Sequence, residues 1–354
     1  MCMECPNCLC NMQIEYTHTM TFDGEWPVAE LRAALLAARR IVLVAHTNAD
    51  GDAVGSVMGM YHLLRKATSA ELTPMLPDGV PDDLRWLPGT SMILDGKRQP
   101  SVCRCAIATA DTVVALDINS FERTGHLAQA FAAAKAQRMV IDHHERTSLK
   151  EFDLAVSEPE VSSTCELVYW LMGQAFGDKA FDRDAATCLY AGICTDTGTF
   201  SYSNDRPSVY AAAAALLAFG IDPMGINRQI KNVFTEPRLR FFGHAMADLL
   251  TVYRQKEVAL MVITAKDMKD YGVESSELTG LINEVMKLRD VDCGILIREE
   301  EGKVRLSLRS KVRYDVNRMA GDLFGGGGHK RAAGATSTLS LMDTVAVVKE
   351  KLKV

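Results

Sequence analysis

"IVLVAHTNADGDAVGS", residues 41–56, decides the fold. Its first five residues are apolar without polar alternation, the mark of a strand buried on both faces, as in parallel sheets. His46, Asp50 and Asp52 follow at the strand's end. A helical run over 52–67 comes next, with Gly55 and Gly59 leaving room for a close neighbour. Strand, polar corner and helix form the repeating unit of an α/β sheet, and the unit recurs. "TVVALD" (112–117) precedes a predicted helix over 124–137, and "RMVID" (138–142) follows it. Each of these strands ends in Asp or His. In open α/β sheets ligands bind beyond the carboxyl ends of the strands, so residues distant in sequence are expected to converge there.

From about residue 161 the pattern is helical, with helices predicted over 162–176, 182–200 and 208–222, the last closing on Gly220, and a turn at "SNDRP" (203–207). Residues 223–250 are helical and of mixed polarity. Strands follow at 257–263, 292–299 and 303–310, the last two a hairpin across "EEG". The expected fold class is therefore α/β in two lobes. A parallel-sheet domain with helices on both faces spans 25–225, a helical connector 226–250, and a smaller α/β domain 251–354. Residues 1–24 hold Cys2, Cys5, Cys8 and Cys10. Such thiolates can bind zinc or an iron–sulfur cluster. Nothing nearby looks able to fold over one, and Met20 is a second plausible start, so the segment reads as a disordered leader. Cys103, Cys105, Cys165, Cys188, Cys194 and Cys293 read as small reduced core residues.

Composition narrows the function. Apolar residues make up 48% and charged residues 24%, as in soluble globular proteins. No apolar run is long enough to span a bilayer and no signal peptide is evident, so the cytoplasm is the expected compartment and no membrane partner is expected. The 39 Lys+Arg and 45 Asp+Glu give a net charge of −6, with the excess of cations confined to residues 251–354. A protein that coats a duplex would carry a strong basic face. An acidic front and a mildly cationic back suit a small anionic substrate better.

The residues gathered at the strand ends are His46, Asp50, Asp52, Asp117, Asp142, His143 and His144, with Asp196 added from "GICTDTGTF". Asp50 and Asp52 alone could simply cap a helix, and "DHH" alone means little. Recurrence at three strand ends and a fourth segment is what points to a metal site. Hard oxygen donors mixed with imidazole favour Mn²⁺, Mg²⁺ or Co²⁺ over structural zinc. There are enough ligands for two ions sharing a carboxylate. A second constellation is "FGGGGHKRAAG" (324–334), whose glycines can turn backbone N–H groups toward an anion. Arg309 and Ser310 end the preceding strand, and an arginine can grip phosphate with two parallel hydrogen bonds.

These stretches resemble a known family. "HTNADGDAVGS", "ALD", "IDHH" and "GICTDTGTF" are similar to the four motifs of the DHH phosphoesterases, and "SLRS" with "FGGGGHKRAAG" to the DHHA1 domain that follows in one branch. The similarity covers about residues 25–354. The branch it matches is that of the bifunctional oligoribonucleases (nano-RNases) and pAp phosphatases. The resemblance implies two divalent ions, usually manganese. His46, Asp50 and Asp117 would hold one, and Asp52, Asp117, His143 and Asp196 the other. It implies a water activated by both ions, His144 facing the scissile phosphate, and Asp142 orienting a histidine. Arg309, Ser310, Gly326, Gly327, Gly328 and His329 would hold the rest of the nucleotide, and Arg123 would contact phosphate. The implied substrates are short single-stranded RNA and pAp, and a homodimer is expected. Ala49 stands where the family commonly has proline, and Asp205 where threonine is common; neither removes an implied ligand. Rival readings are a related phosphohydrolase of pApA, pyrophosphate, polyphosphate or single-stranded DNA ends, and a non-catalytic nucleotide or RNA sensor.

Overall fold

The computed structural model describes residues 26–144, 148–201, 206–231 and 234–354. These form two compact units, divided after residue 233. The cysteine-rich leader and Asp205 lie outside the described residues.

The first unit is built on six parallel strands: β1 (Arg40–Val44), β2 (Glu71–Leu76), β3 (Leu94–Asp95), β4 (Thr112–Leu116), β5 (Gln137–Asp142) and β6 (Leu154–Ser157). Their order in the sheet is β3-β2-β1-β4-β5-β6. Successive connections leave β1 toward one edge and then return to build toward the other. The crevice between β1 and β4 is therefore the topological switch point, where sheets of this class bind ligands. Its helices are α1 (Val28–Ala37), α2 (Gly51–Ala67), α3 (Pro100–Thr109), α4 (Ala128–Ala133), α5 (Thr164–Phe176), α6 (Arg183–Asp196), α7 (Pro207–Leu217) and α8 (Pro223–Lys231). One apolar core packs α2, α5 and α6 on one face of the sheet. A second packs Cys103 and Ile107 of α3 and Phe131 of α4 on the other.

Gly55 allows α2 and α6 to lie nearly backbone to backbone. A Cβ there would sit 2.6 Å from the Cys188 carbonyl oxygen. Because that obstacle is main chain, Gly55→Ala is expected to destabilise the first unit by about 1–3 kcal/mol. A lowered urea midpoint at constant slope would register it; an unchanged midpoint would mean that the helices part freely.

The second unit contains β7 (Leu250–Tyr253), β8 (Val258–Ile263), β9 (Cys293–Glu300), β10 (Lys303–Ser310), β11 (Gly327–His329) and β12 (Ala332–Ser337). They form one sheet in the order β11-β12-β10-β9-β8-β7, in which only the β8–β9 pair is parallel. Helices α9 (Glu236–His244), α10 (Ala265–Tyr271) and α11 (Leu281–Val285) cover one face, and α12 (Val316–Phe324) with α13 (Leu341–Leu352) the other. Among the described residues, no helix is long and apolar enough to cross a membrane.

Several sequence expectations need correction. The helix predicted over 124–137 is a 3₁₀ turn (Phe121–Leu127) and the six-residue α4, because Gly125 takes φ 57° and ψ −121°. The stretch 226–250 is no separate connector. Ile226 is buried in the first unit's core, while Phe241 and Phe242 are buried in the second's. Cys105 is exposed, unlike the other five described cysteines. The glycine run is a short edge strand rather than an open nest. Gly327, Gly328 and His329 pair with Gly334, Ala333 and Ala332. The glycines permit that approach: a Cβ at Gly326 would lie 2.2 Å from the Gly334 carbonyl oxygen.

Candidate active site

The site is assembled at the carboxyl ends of β1, β4 and β5. His46 lies two residues past β1. Its Nδ1 is 2.8 Å from the Thr47 carbonyl oxygen, which can only accept, so Nδ1 carries a proton and Nε2 is turned toward the carboxylates. That Nε2 is 3.2 Å from Asp117 Oδ2 and 3.9 Å from Asp50 Oδ1. Asp50 is the N-cap of α2, its Oδ1 accepting from the Asp52 and Ala53 amides. Capping and site geometry thus use the same carboxylate.

Asp117 follows β4 in a left-handed conformation, φ 57°, that few residues other than glycine adopt. Its amide donates to the Ile141 carbonyl, and the turn aims a buried carboxylate into the switch point. Oδ2 faces His46, while Oδ1 lies 3.6 Å from His143 Nε2 and accepts from the Thr164 hydroxyl at 3.1 Å. His143 Nε2 also lies 3.3 Å from Asp196 Oδ2 and 3.8 Å from Asp52 Oδ2. Asp52 is wholly buried, and its two oxygens accept from the Thr164 and Cys165 amides at 2.7 and 2.8 Å. Asp142, the last residue of β5, places Oδ1 2.7 Å from His144 Nδ1, and Arg123 Nη1 lies 3.1 Å from His144 Nε2.

Three groups of potential ligand atoms result, each within 4.8 Å: His46, Asp50 and Asp117; Asp52, His143 and Asp196; and Asp117, His143 and His144. The electrostatics are those of an anionic cluster in need of a cation. Burial, then the charges of Asp117 and Asp50, push Asp52 well above the usual carboxylate range. Burial and the charges of Asp52, Asp50 and Asp117 do the same to Asp196. Burial alone would raise Asp117, but the His46 hydrogen bond and the three neighbouring imidazoles hold it down to about 2. Burial lowers His143 despite its carboxylate neighbours. The mixed imidazole and carboxylate donors suit a hard or borderline divalent ion.

The remaining residues singled out in the sequence are in the second unit. The ladder sets positions 309, 332 and 329 in one row across β10, β12 and β11. Arg309 Nη1 donates to its neighbour's carbonyl at Leu308, and the Ser310 hydroxyl donates to the Tyr314 carbonyl. Sequence reasoning missed Thr164. In "SSTCE" it reads as one more hydroxyl at a helix start, and only the fold brings it between two aspartates.

Residues 40–193 match the DHH family, N-terminal domain, and residues 255–353 match the DHHA1 domain. The chain belongs to this family of phosphoesterases and is a hydrolase acting on phosphate esters. Among particular relatives, the bifunctional oligoribonuclease and PAP phosphatase NrnA of Thermus thermophilus is 29% identical over 317 residues, 88% of this chain and 89% of that protein. The Bacillus subtilis protein of the same name is 26% identical over 84% of this chain and 88% of its own length. A crystal structure of an exopolyphosphatase-related protein from Bacteroides fragilis superposes with a TM-score of 0.89 at 30% identity, covering 92% of this chain and 95% of that one. Exonuclease RecJ bound to manganese shares the fold, with a TM-score of 0.53 at 14% identity over 92% of this chain and 93% of that one.

Proposed function

We propose that the protein hydrolyses short single-stranded oligoribonucleotides to mononucleotides and pAp to AMP, using two divalent ions. His46, Asp50 and Asp117 hold one ion, and Asp52, His143 and Asp196 hold the other together with Asp117. Manganese is the favoured ion, with Mg²⁺ or Co²⁺ as alternatives. The observation that carries the reading is the split of Asp117, whose two oxygens face different histidines and different donor groups. The names of the two NrnA relatives support the substrates, and the manganese named with RecJ supports the ion. Divalent ions bound there supply Lewis acidity and lower the pKa of water.

The chain's own groups do the rest. Asp142 accepts from His144 Nδ1 and so fixes the ring. Arg123 beside Nε2 adds a positive charge where phosphoryl oxygens would lie. Arg309, Ser310, the glycines 326–328 and His329 bind the remaining phosphate, sugar and base. Asp142→Asn is expected to lower kcat about 10–100-fold, the size of loss usual when the partner that orients a histidine of such a site is removed, while KM holds. Arg309→Ala is expected to raise KM about tenfold with kcat retained, the signature of lost uniform binding. Steady-state kinetics on pAp measure both.

The deciding experiment is hydrolysis of pAp, a labelled RNA dinucleotide and polyphosphate, each with Mn²⁺ and with EDTA. Metal-dependent release of AMP or mononucleotides supports the proposal. Turnover of polyphosphate alone would favour a second reading, for which the description of the Bacteroides fragilis protein is the reason.

A further inference from the structure

The first turn of α5 carries an arrangement that helix formation does not require. Ser163 caps the helix, its Oγ accepting from the Glu166 amide, and the Ser162 amide and hydroxyl both donate to Glu166 Oε2. With the cap in place, the hydroxyl of Thr164 is free of structural duty within the helix. It donates instead to Asp117 Oδ1 at 3.1 Å, while the amide of the same residue donates to Asp52 Oδ2 at 2.7 Å. Thr164 is wholly buried, as is Asp52, and Asp117 nearly so. One side chain and its own backbone thus grip two carboxylates, one from the first turn of α2 and the other just past the end of β4.

The grip has a direction. A carboxylate on a short side chain can rotate about its last bond. The Thr164 bond on Oδ1 leaves Oδ2 toward His46 and keeps Oδ1 on the side of His143. The Cys165 amide completes the hold on Asp52 at 2.8 Å, so neither oxygen of that group can swing. A β-branched side chain has few χ1 states, so the hydroxyl itself is fixed in place.

We propose that Thr164 is the positioning residue of the proposed two-metal site, setting the rotation of Asp117 against Asp52 so that both ion positions exist at one spacing. The proposal rests on the metal assignment above. It asks nothing of Thr164 as a ligand or as a contact to substrate.

The test uses the full-length protein, loaded with Mn²⁺ alone. Calorimetric titration gives the number of ions and their affinities, and electron paramagnetic resonance reports whether the two ions are spin-coupled. Wild type and Thr164→Ser, which keeps the donor, are expected to bind two coupled ions. Thr164→Val, which keeps the shape and removes the donor, is expected to bind one of the two about 10–100-fold more weakly and to lose the coupled signal. With pAp, kcat should fall while KM stays near that of wild type. A Thr164→Val protein that binds two coupled ions as wild type does would overturn the proposal. If that variant does not fold by circular dichroism, the Thr164→Ser and Thr164→Ala pair decides: a tight Ser variant with a weak Ala variant supports the proposal, and equal affinities overturn it. Wild type binding fewer than two ions would overturn the metal assignment itself.

Discussion

An Asp117→Asn variant is expected to lose hydrolysis of both pAp and the RNA dinucleotide by about 10³-fold or more in kcat. That is roughly 4 kcal/mol of transition-state stabilisation, at about 1.4 kcal/mol per tenfold. Loss of a single electrostatic stabiliser in an active site already costs about 10²–10³. Asp117 stands at the upper end because it faces both donor groups, with His46 at 3.2 Å from one oxygen and His143 at 3.6 Å from the other. Asparagine keeps the size, tolerates the left-handed backbone and can still accept from Thr164. The fold should therefore survive while the charge does not. Retained unfolding temperature beside lost turnover is the expected pair of observations. Retained turnover would remove Asp117 from the mechanism.

Chelation should produce the second large effect. Each ion that binds only the folded protein stabilises it by about 2.7 kcal/mol at a hundred times its dissociation constant. The two proposed ions would give about 5 kcal/mol, on the order of 10–20 °C in unfolding temperature for a unit of this size. The gain should depend on pH with a definite sign. Without metal, Asp52 and Asp196 titrate well above their unfolded value. Their contribution to stability is therefore present below about pH 4 and is lost as pH rises toward their folded values. Asp117, held down to about 2, acts oppositely, but only below about pH 4. Metal must displace protons from the two raised carboxylates, so the Mn²⁺-induced shift should be larger at pH 7.5 than at pH 5. Thermal unfolding with and without EDTA at the two pH values measures it, and a shift independent of pH would contradict the electrostatic account.

What could be read from the sequence follows from how each element is stabilised. β1, β4 and β5 were legible because strands covered on both faces must be continuously apolar. β2 was not: "ELTPML" carries Pro74 in register with Leu43, and only its second half is buried. β3 has two residues and β6 four, too few for any period to show. β12, "AAGATS", has small side chains because β11 must approach it closely. The polar residues at the strand ends were legible as a set, since the sheet topology brings them to one edge. Thr164 was not, because its role depends on where α5 begins relative to the start of α2 and the end of β4. The division between the units was misplaced because mixed polarity along 223–250 does not tell which core Ile226, Phe241 and Phe242 will enter.

Among the described residues, non-glycine positions with positive φ include Asn48, Asp117, Thr199 and Phe200, all in the segments that carry the strand-end and "GICTDTGTF" motifs. Glycine would relax the backbone at each, by about 1 kcal/mol or more. At Asp117 the strained turn is held together with the contacts its carboxylate makes to His46 and Thr164, so the residue there answers to the site rather than to the backbone. The side chain at that corner records whether the chemistry is still being asked for.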